Sequence, residues 1–177
     1  MSARLPEFVD PWLLAERGRI IAGEMELARL PRMVEVLMDT GGVVQYELDF
    51  GKDAKGRVRI TGFVRAGLVL ECQRCLETMT LPVNSTLDLV VIQVPAEAER
   101  IPGECEPVLA GDDGLSVVDL IEEELLLAIP LVPMHSREIC SMFSSGTDAE
   151  LPKRSREESH RVNPFAILSS LKSDRKN

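Results

Sequence analysis

The chain has 177 residues, the size of one domain with a tail, since domains usually run to roughly 100–150 residues. Apolar residues make up 45% but aromatics only 4%, so packing must rest on Leu, Val and Ile. The formal charge of −9, from 29 acidic against 20 basic side chains, opposes non-specific attraction to nucleic-acid phosphates or anionic lipid and favours a cationic partner.

Met1 to Trp12 lacks the basic flank and apolar run of a signal peptide. No span approaches the roughly 20 apolar residues that cross a bilayer. The expectation is a cytoplasmic protein with no membrane contact, whose Cys72, Cys75, Cys105 and Cys140 are reduced thiols or metal ligands and not disulfides. Asp10-Pro11 caps a short helix over Trp12 to Ala15, ended by Gly18. Arg19 to Leu27 reads as a strand, and Pro31 to Met38 as a brief helix with Met33, Val34 and Leu37 on one side. After the break at Asp39-Thr40-Gly41-Gly42 come short β-type runs, Val43–Phe50 with apolar and polar residues alternating, Arg57–Val64, Ala66–Glu71 and Leu76–Val83, and Leu87–Val94 as an apolar run suited to a buried strand. Short connections and two-sided alternation favour an antiparallel meander.

Pro95 to Gly114 is an acidic connection; from Glu97 to Glu124 there are ten carboxylates and a single base, Arg100. A helix then starts at Ser116, with Asp119 as its capping-box partner and Val117, Val118, Ile121, Leu125, Ala128 and Ile129 at helical spacing, and Pro130 ends it. Glu122, Glu123 and Glu124 read as its solvated face or as an acidic docking surface. Polar composition makes Ser141 to Arg161 a flexible linker, after which Asn163-Pro164 caps a two-turn helix with Phe165, Leu168 and Leu171 on one face. A helix so short needs a surface to dock on.

Cys72-Gln73-Arg74-Cys75 is the sharpest local feature, because two thiols across a tight turn can face one tetrahedral metal. It supplies half a site, with His135 and Cys140, or Cys105, as candidate partners. Two other readings stay open: small turn residues without metal, and a redox pair, although redox motifs sit where a strand enters a helix and here strand-like sequence lies on both sides. Nothing arranges a nucleophilic triad, an acid/base pair or a phosphate-binding glycine loop, so neither an enzyme nor a small-molecule substrate is expected. In the tail, Lys153, Arg154, Arg156 and Arg161 can contact RNA phosphate or simply solvate a flexible segment.

Three segments resemble a bacterial family when taken in order: Leu70-Glu71-Cys72-Gln73-Arg74-Cys75; Val118 to Pro133 with His135 and Cys140; and Asn163-Pro164-Phe165-Ala166-Ile167-Leu168 with Leu171-Lys172. They look like the YceD family, the large ribosomal RNA subunit accumulation proteins, and Asp10-Pro11 also fits. The resemblance implies a role in synthesis, processing or stability of 23S ribosomal RNA without catalysis. Some relatives carry additional cysteines after the helix in a more complete metal-site pattern, where this chain has His135 and Cys140.

The resulting expectation is an α+β domain over 1–140, an antiparallel meander packed by one long amphipathic helix with short N-terminal helices. A polar linker over 141–162, a docking helix over 163–172 and a disordered tail over 173–177 follow. Function is expected as a ribosome-biogenesis factor that binds a basic large-subunit ribosomal protein or pre-ribosomal particle through Glu122, Glu123, Glu124, Asn163, Pro164, Phe165 and Leu168, with zinc as the one cofactor in view. The rival is an RNA-binding or RNA-processing module that uses the basic tail and the same zinc site.

Overall fold

The computed structural model describes residues 8–101, 103 and 105–144, with side chains as far as Cys140. They belong to one compact unit, an α+β fold around a five-stranded sheet. Strands β1 (Phe8–Val9) and β7 (Leu115–Ser116) form a small separate pair. The main sheet runs β2 (Ile20–Glu26), β3 (Val43–Lys52), β4 (Val58–Glu71), β5 (Thr78–Ile92) and β6 (Glu106–Leu109), in that order. Its first four strands are an antiparallel meander, as the alternation predicts, whereas β6 adds parallel to β5. The sheet is therefore mixed, and β6 lies inside the acidic stretch that reads as a connection.

Two pairs of expected strands are in fact single long ones. The ladder from Arg59↔Val90 to Glu71↔Thr78 is unbroken, and Asn84, between the two expected runs, accepts a hydrogen bond from Arg65 Nε across the strands at 2.8 Å. β3 reaches only as far as Ala66, so Gly67–Glu71 and Thr78–Pro82 continue beyond it as a two-stranded ribbon. The ribbon is backed at one point, where Met38 N donates to the Val69 carbonyl at 2.8 Å.

Alternation sorts the sheet into two faces. Val44, Tyr46, Leu48 and Phe50 of β3, Ile60, Val64, Leu68 and Leu70 of β4, and Leu87, Leu89 and Val91 of β5 point inward and are buried. Gly62 lies in the same inward row, where a methyl group would overlap the Glu47 carbonyl oxygen, so only glycine allows β3 and β4 their approach there. Each fully buried Leu or Ile contributes about 1.5–3 kcal/mol relative to an exposed one.

The helices complete this inner layer. Helix α1 (Pro11–Glu16) starts at Asp10, whose carboxylate accepts from Trp12 N and Leu13 N at 2.9 and 3.0 Å, and Gly18 at φ +54° follows its end. Helix α2 (Pro31–Val34) is shorter than its sequence suggests; Met33 is buried but Val34 points to solvent. Helix α3 (Val117–Ala128) begins at Ser116, whose hydroxyl accepts from Asp119 N at 3.1 Å, and buries Val117, Leu120, Ile121 and Leu125. Helix α4 (Arg137–Ser144) carries the chain past position 141, where polar composition points to a linker. The rest of that linker, the 163–172 helix and the 173–177 tail lie outside the described residues. No helix among the described residues is long and apolar enough to cross a membrane.

Candidate metal centre

At the far end of the β4–β5 ribbon the chain turns through Cys72-Gln73-Arg74-Cys75-Leu76-Glu77. Cys72 N donates to the Glu77 carbonyl and Leu76 N to the Cys72 carbonyl, both at 2.9 Å. Leu76 takes the left-handed conformation, φ +62°, with its side chain in solvent, a geometry that glycine adopts without steric cost and leucine does not. This tight path turns peptide N–H groups onto the thiols. Those of Cys75, Arg74 and His135 address the Cys72 sulfur, and that of Glu77 addresses Cys75.

The other half of the site comes from the segment after α3. Pro130 and Pro133 prevent helix there, and Gln73 N donates to the Pro133 carbonyl at 2.9 Å, fixing this segment against the hairpin tip. Arg74 Nη2 reaches Met134 Sδ at 3.4 Å. His135 then enters with its backbone N–H 3.4 Å from Cys72 Sγ, and the first turn of α4 delivers Cys140, whose N–H donates to the Ser136 carbonyl at 3.1 Å.

The ligand atoms of Cys72, Cys75, His135 and Cys140 all lie within 4.8 Å of one another. Cys72 Sγ and Cys140 Sγ are 4.0 Å apart, and Cys75 Sγ lies 3.4 Å from His135 Nδ1. A tetrahedral ion with bonds of about 2.3 Å to sulfur and 2.0 Å to nitrogen has edges of about 3.8 Å between sulfurs and about 3.5 Å between sulfur and nitrogen, so the four atoms fit one such ion. His135 Nε2 lies 3.1 Å from the Thr78 carbonyl. A carbonyl accepts only, so that nitrogen carries the proton and Nδ1 turns its lone pair toward the cysteines, as ligand histidines do. Cys72 and Cys140 are almost fully buried and Cys75 partly so, which closes the site in the manner of a structural centre without an open position for substrate.

The electrostatics agree. Burial pushes the Cys72 thiol up, but the N–H groups of Cys75, His135 and Arg74 outweigh it and bring the thiol down to about 5. At Cys75 the Glu77 N–H pulls down, while burial and the neighbouring Cys72 and Cys140 sulfurs push up and prevail. A cation bound among the sulfurs would favour their ionised forms. These amides belong to a hairpin turn; the helix N-terminus that redox motifs use is not part of the turn. Cys105 is not among the clustered ligands.

The acidic run of α3 is a correction to the sequence reading. Glu122 does not lie on a solvated face: it is 2% exposed, and its carboxylate accepts from Arg32 N at 2.7 Å, Met33 N at 3.1 Å and Arg32 Nε at 2.9 Å. It satisfies the free amides at the start of α2, a partnership that no local pattern around Arg32 and Met33 announces. Glu124 is half-withdrawn, 3.0 Å from Ser85 Oγ on β5, and Glu123 alone of the three is exposed. Asn163, Pro164, Phe165 and Leu168, with Lys153, Arg154, Arg156 and Arg161, lie outside the described residues.

Comparison with known proteins adds two findings. Residues 60–172 match the family described as large ribosomal RNA subunit accumulation protein YceD. The chain is also 33% identical over 176 residues, 97% of its own length and 98% of the relative's, to the large ribosomal RNA subunit accumulation protein YceD of Haemophilus influenzae. No solved structure matches.

Proposed function

The chain belongs to the YceD family, and from that premise we propose that it is a non-enzymatic factor in large-subunit biogenesis, supporting synthesis, processing or stability of 23S rRNA by binding a basic large-subunit ribosomal protein. Membership over most of the chain carries this reading. The charge of −9 supports the choice of a cationic protein over bare RNA as the partner held by the folded body. The Cys72, Cys75, His135 and Cys140 cluster holds zinc in a structural role, fastening the hairpin tip to the segment after α3; three sulfurs and one imidazole in tetrahedral spacing suit that ion.

Depleting the protein from growing cells is expected to lower 23S rRNA relative to 16S rRNA, and affinity purification of the full chain to recover a basic large-subunit protein. An unchanged rRNA ratio would remove the ribosomal role. Capture of purified rRNA that falls steeply with salt and disappears on truncation after Leu151 would transfer the role to the basic tail. Elemental analysis of the purified chain is expected to find one zinc per chain, lost when Cys72 and Cys75 are both replaced by Ser.

A further inference from the structure

The inner face of the sheet is covered by helices; the outer face is divided by charge. Register places Ile20, Ala22, Glu24 and Glu26 of β2 beside Val43, Gln45, Glu47, Asp49 and Gly51 of β3 on this outer side. That half carries four carboxylates and no cation, and Glu24, Glu26, Glu47 and Asp49 are all exposed. The β4–β5 half is different. There Arg59 pairs with Asp88, while Arg65 lies over the Phe63 ring at 4.2 Å and donates to Asn84, so both arginines stand on this half and none on the other.

Two more features mark the acidic half. Among the described residues β2 ends the sheet with β3 as its one neighbour, so alternate N–H and C=O groups of β2 face away from the ladder, ready to pair with an added strand. Ile20 and Val43 are apolar yet 58% and 49% exposed at either end of the acidic row. We infer that the open edge of β2 and the outer face of β2–β3 form the docking surface for an extended lysine- and arginine-rich segment of a partner protein. The added strand pairs with the β2 backbone and its basic residues, alternating with apolar ones, meet Glu24 and Glu26 and reach Glu47 and Asp49.

Charge decides against RNA and against a second copy as occupants. RNA would bring phosphates to four carboxylates. A second copy pairing edge to edge would set Glu24 and Glu26 against their own duplicates, which destabilises a ladder. The inference rests on the reading of the protein as a binder of a basic partner, and it moves that contact from the α3 run, where Glu122 is an internal ligand of α2, to the far side of the molecule.

The test uses the full chain and a synthetic peptide of alternating lysine and valine. Glu24→Lys, Glu26→Lys, Glu47→Lys and Asp49→Lys combined are expected to weaken its binding about tenfold or more. Glu99→Lys, Asp112→Lys, Asp113→Lys and Glu123→Lys combined change the net charge equally and are expected to leave binding within about twofold of the parent. Amide exchange along β2 should slow when the peptide binds. Should the first variant misfold, the corresponding glutamine and asparagine substitutions carry the same comparison. Equal weakening by both sets, weakening by the second set alone, or β2 amides untouched by the peptide overturns the inference. So does a first variant that merely self-associates, because the carboxylates are then guards against edge pairing, and so does an RNA oligomer that competes for the same face. The measurement is made on purified protein, so it can fail while depletion still lowers 23S rRNA, and it can succeed while depletion does not.

Discussion

Two polar clusters tie late parts of the chain to early ones, and they do so in opposite states of completion. Glu122 joins α3 to α2 with one carboxylate whose acceptors meet two amides and a guanidinium, and among the described residues no buried side-chain nitrogen or oxygen lacks a partner. The cysteine–histidine cluster joins the β4–β5 tip to the α3–α4 segment with four groups that converge on one point, three of them sulfurs that repel one another once ionised. The first junction is finished by the protein alone, whereas the second is geometrically prepared and chemically open. Position in the fold explains the contrast. Glu122 backs onto a core already closed by Ile121, Leu125 and Met33, while the tip extends beyond β3, and Leu76, Leu131, Val132 and Ile139 nearby remain exposed.

The contrast can be tested from its largest effect downward. Removing metal with a chelator is expected to lower unfolding free energy by up to about 4 kcal/mol, the loop-closure entropy of a cross-link spanning Cys72 to Cys140, with amide protection lost at the tip and retained in β2–β4. Protection that is lost uniformly would mean the two junctions act as one. Glu122→Ala follows, expected to cost about 2–3 kcal/mol in denaturant titrations because it strands two amides at the start of α2, with metal content unchanged. Leu76→Gly should stabilise by about 0.5–1 kcal/mol by relieving the left-handed backbone; a loss would show that the leucine packs in a way its exposure does not reveal.

The smallest effect is at Glu124, a half-withdrawn carboxylate beside the Ser85 hydroxyl. Burial holds it above the usual carboxylate range, Glu106 and Glu123 add to this, and the Ser85 hydrogen bond opposes it. A raised acid favours its protonated form in the folded state, so its contribution is full below the unfolded value and is lost as pH rises through the folded one. Glu124→Gln is therefore expected to stabilise at neutral pH, by roughly half a kcal/mol at most because water still screens the group. The gain should vanish below about pH 4, where both states are protonated.

How much of this was legible depends on how local each signal was. The meander announced itself through alternation, and α1 and α3 through their caps at Asp10 and Ser116, because those interactions span a few residues. The four metal-site residues were all visible as candidates, but whether Cys75 and His135 meet is a matter of hairpin length and proline placement across 60 positions, which no spacing rule supplies. β6 escaped because Glu106-Pro107-Val108-Leu109 is short and contains a proline, tolerated on an edge strand. Glu122 was legible and misread: it falls four after Val118 and three before Leu125, on the apolar stripe of α3, but the run of three glutamates drew attention to charge and away from helical phase.

The separation of the two junctions also sets an order of assembly. Hairpins from β2 to β5 can pair one after another as the chain emerges during synthesis, since each joins neighbours. Arg32, by contrast, waits 90 positions for Glu122, and Cys72 waits 68 for Cys140. A nascent chain paused before α3 therefore exposes both a sheet without its covering helix and a reactive thiol pair, so the speed of the ribosome over that interval governs how long the protein is vulnerable to misassembly.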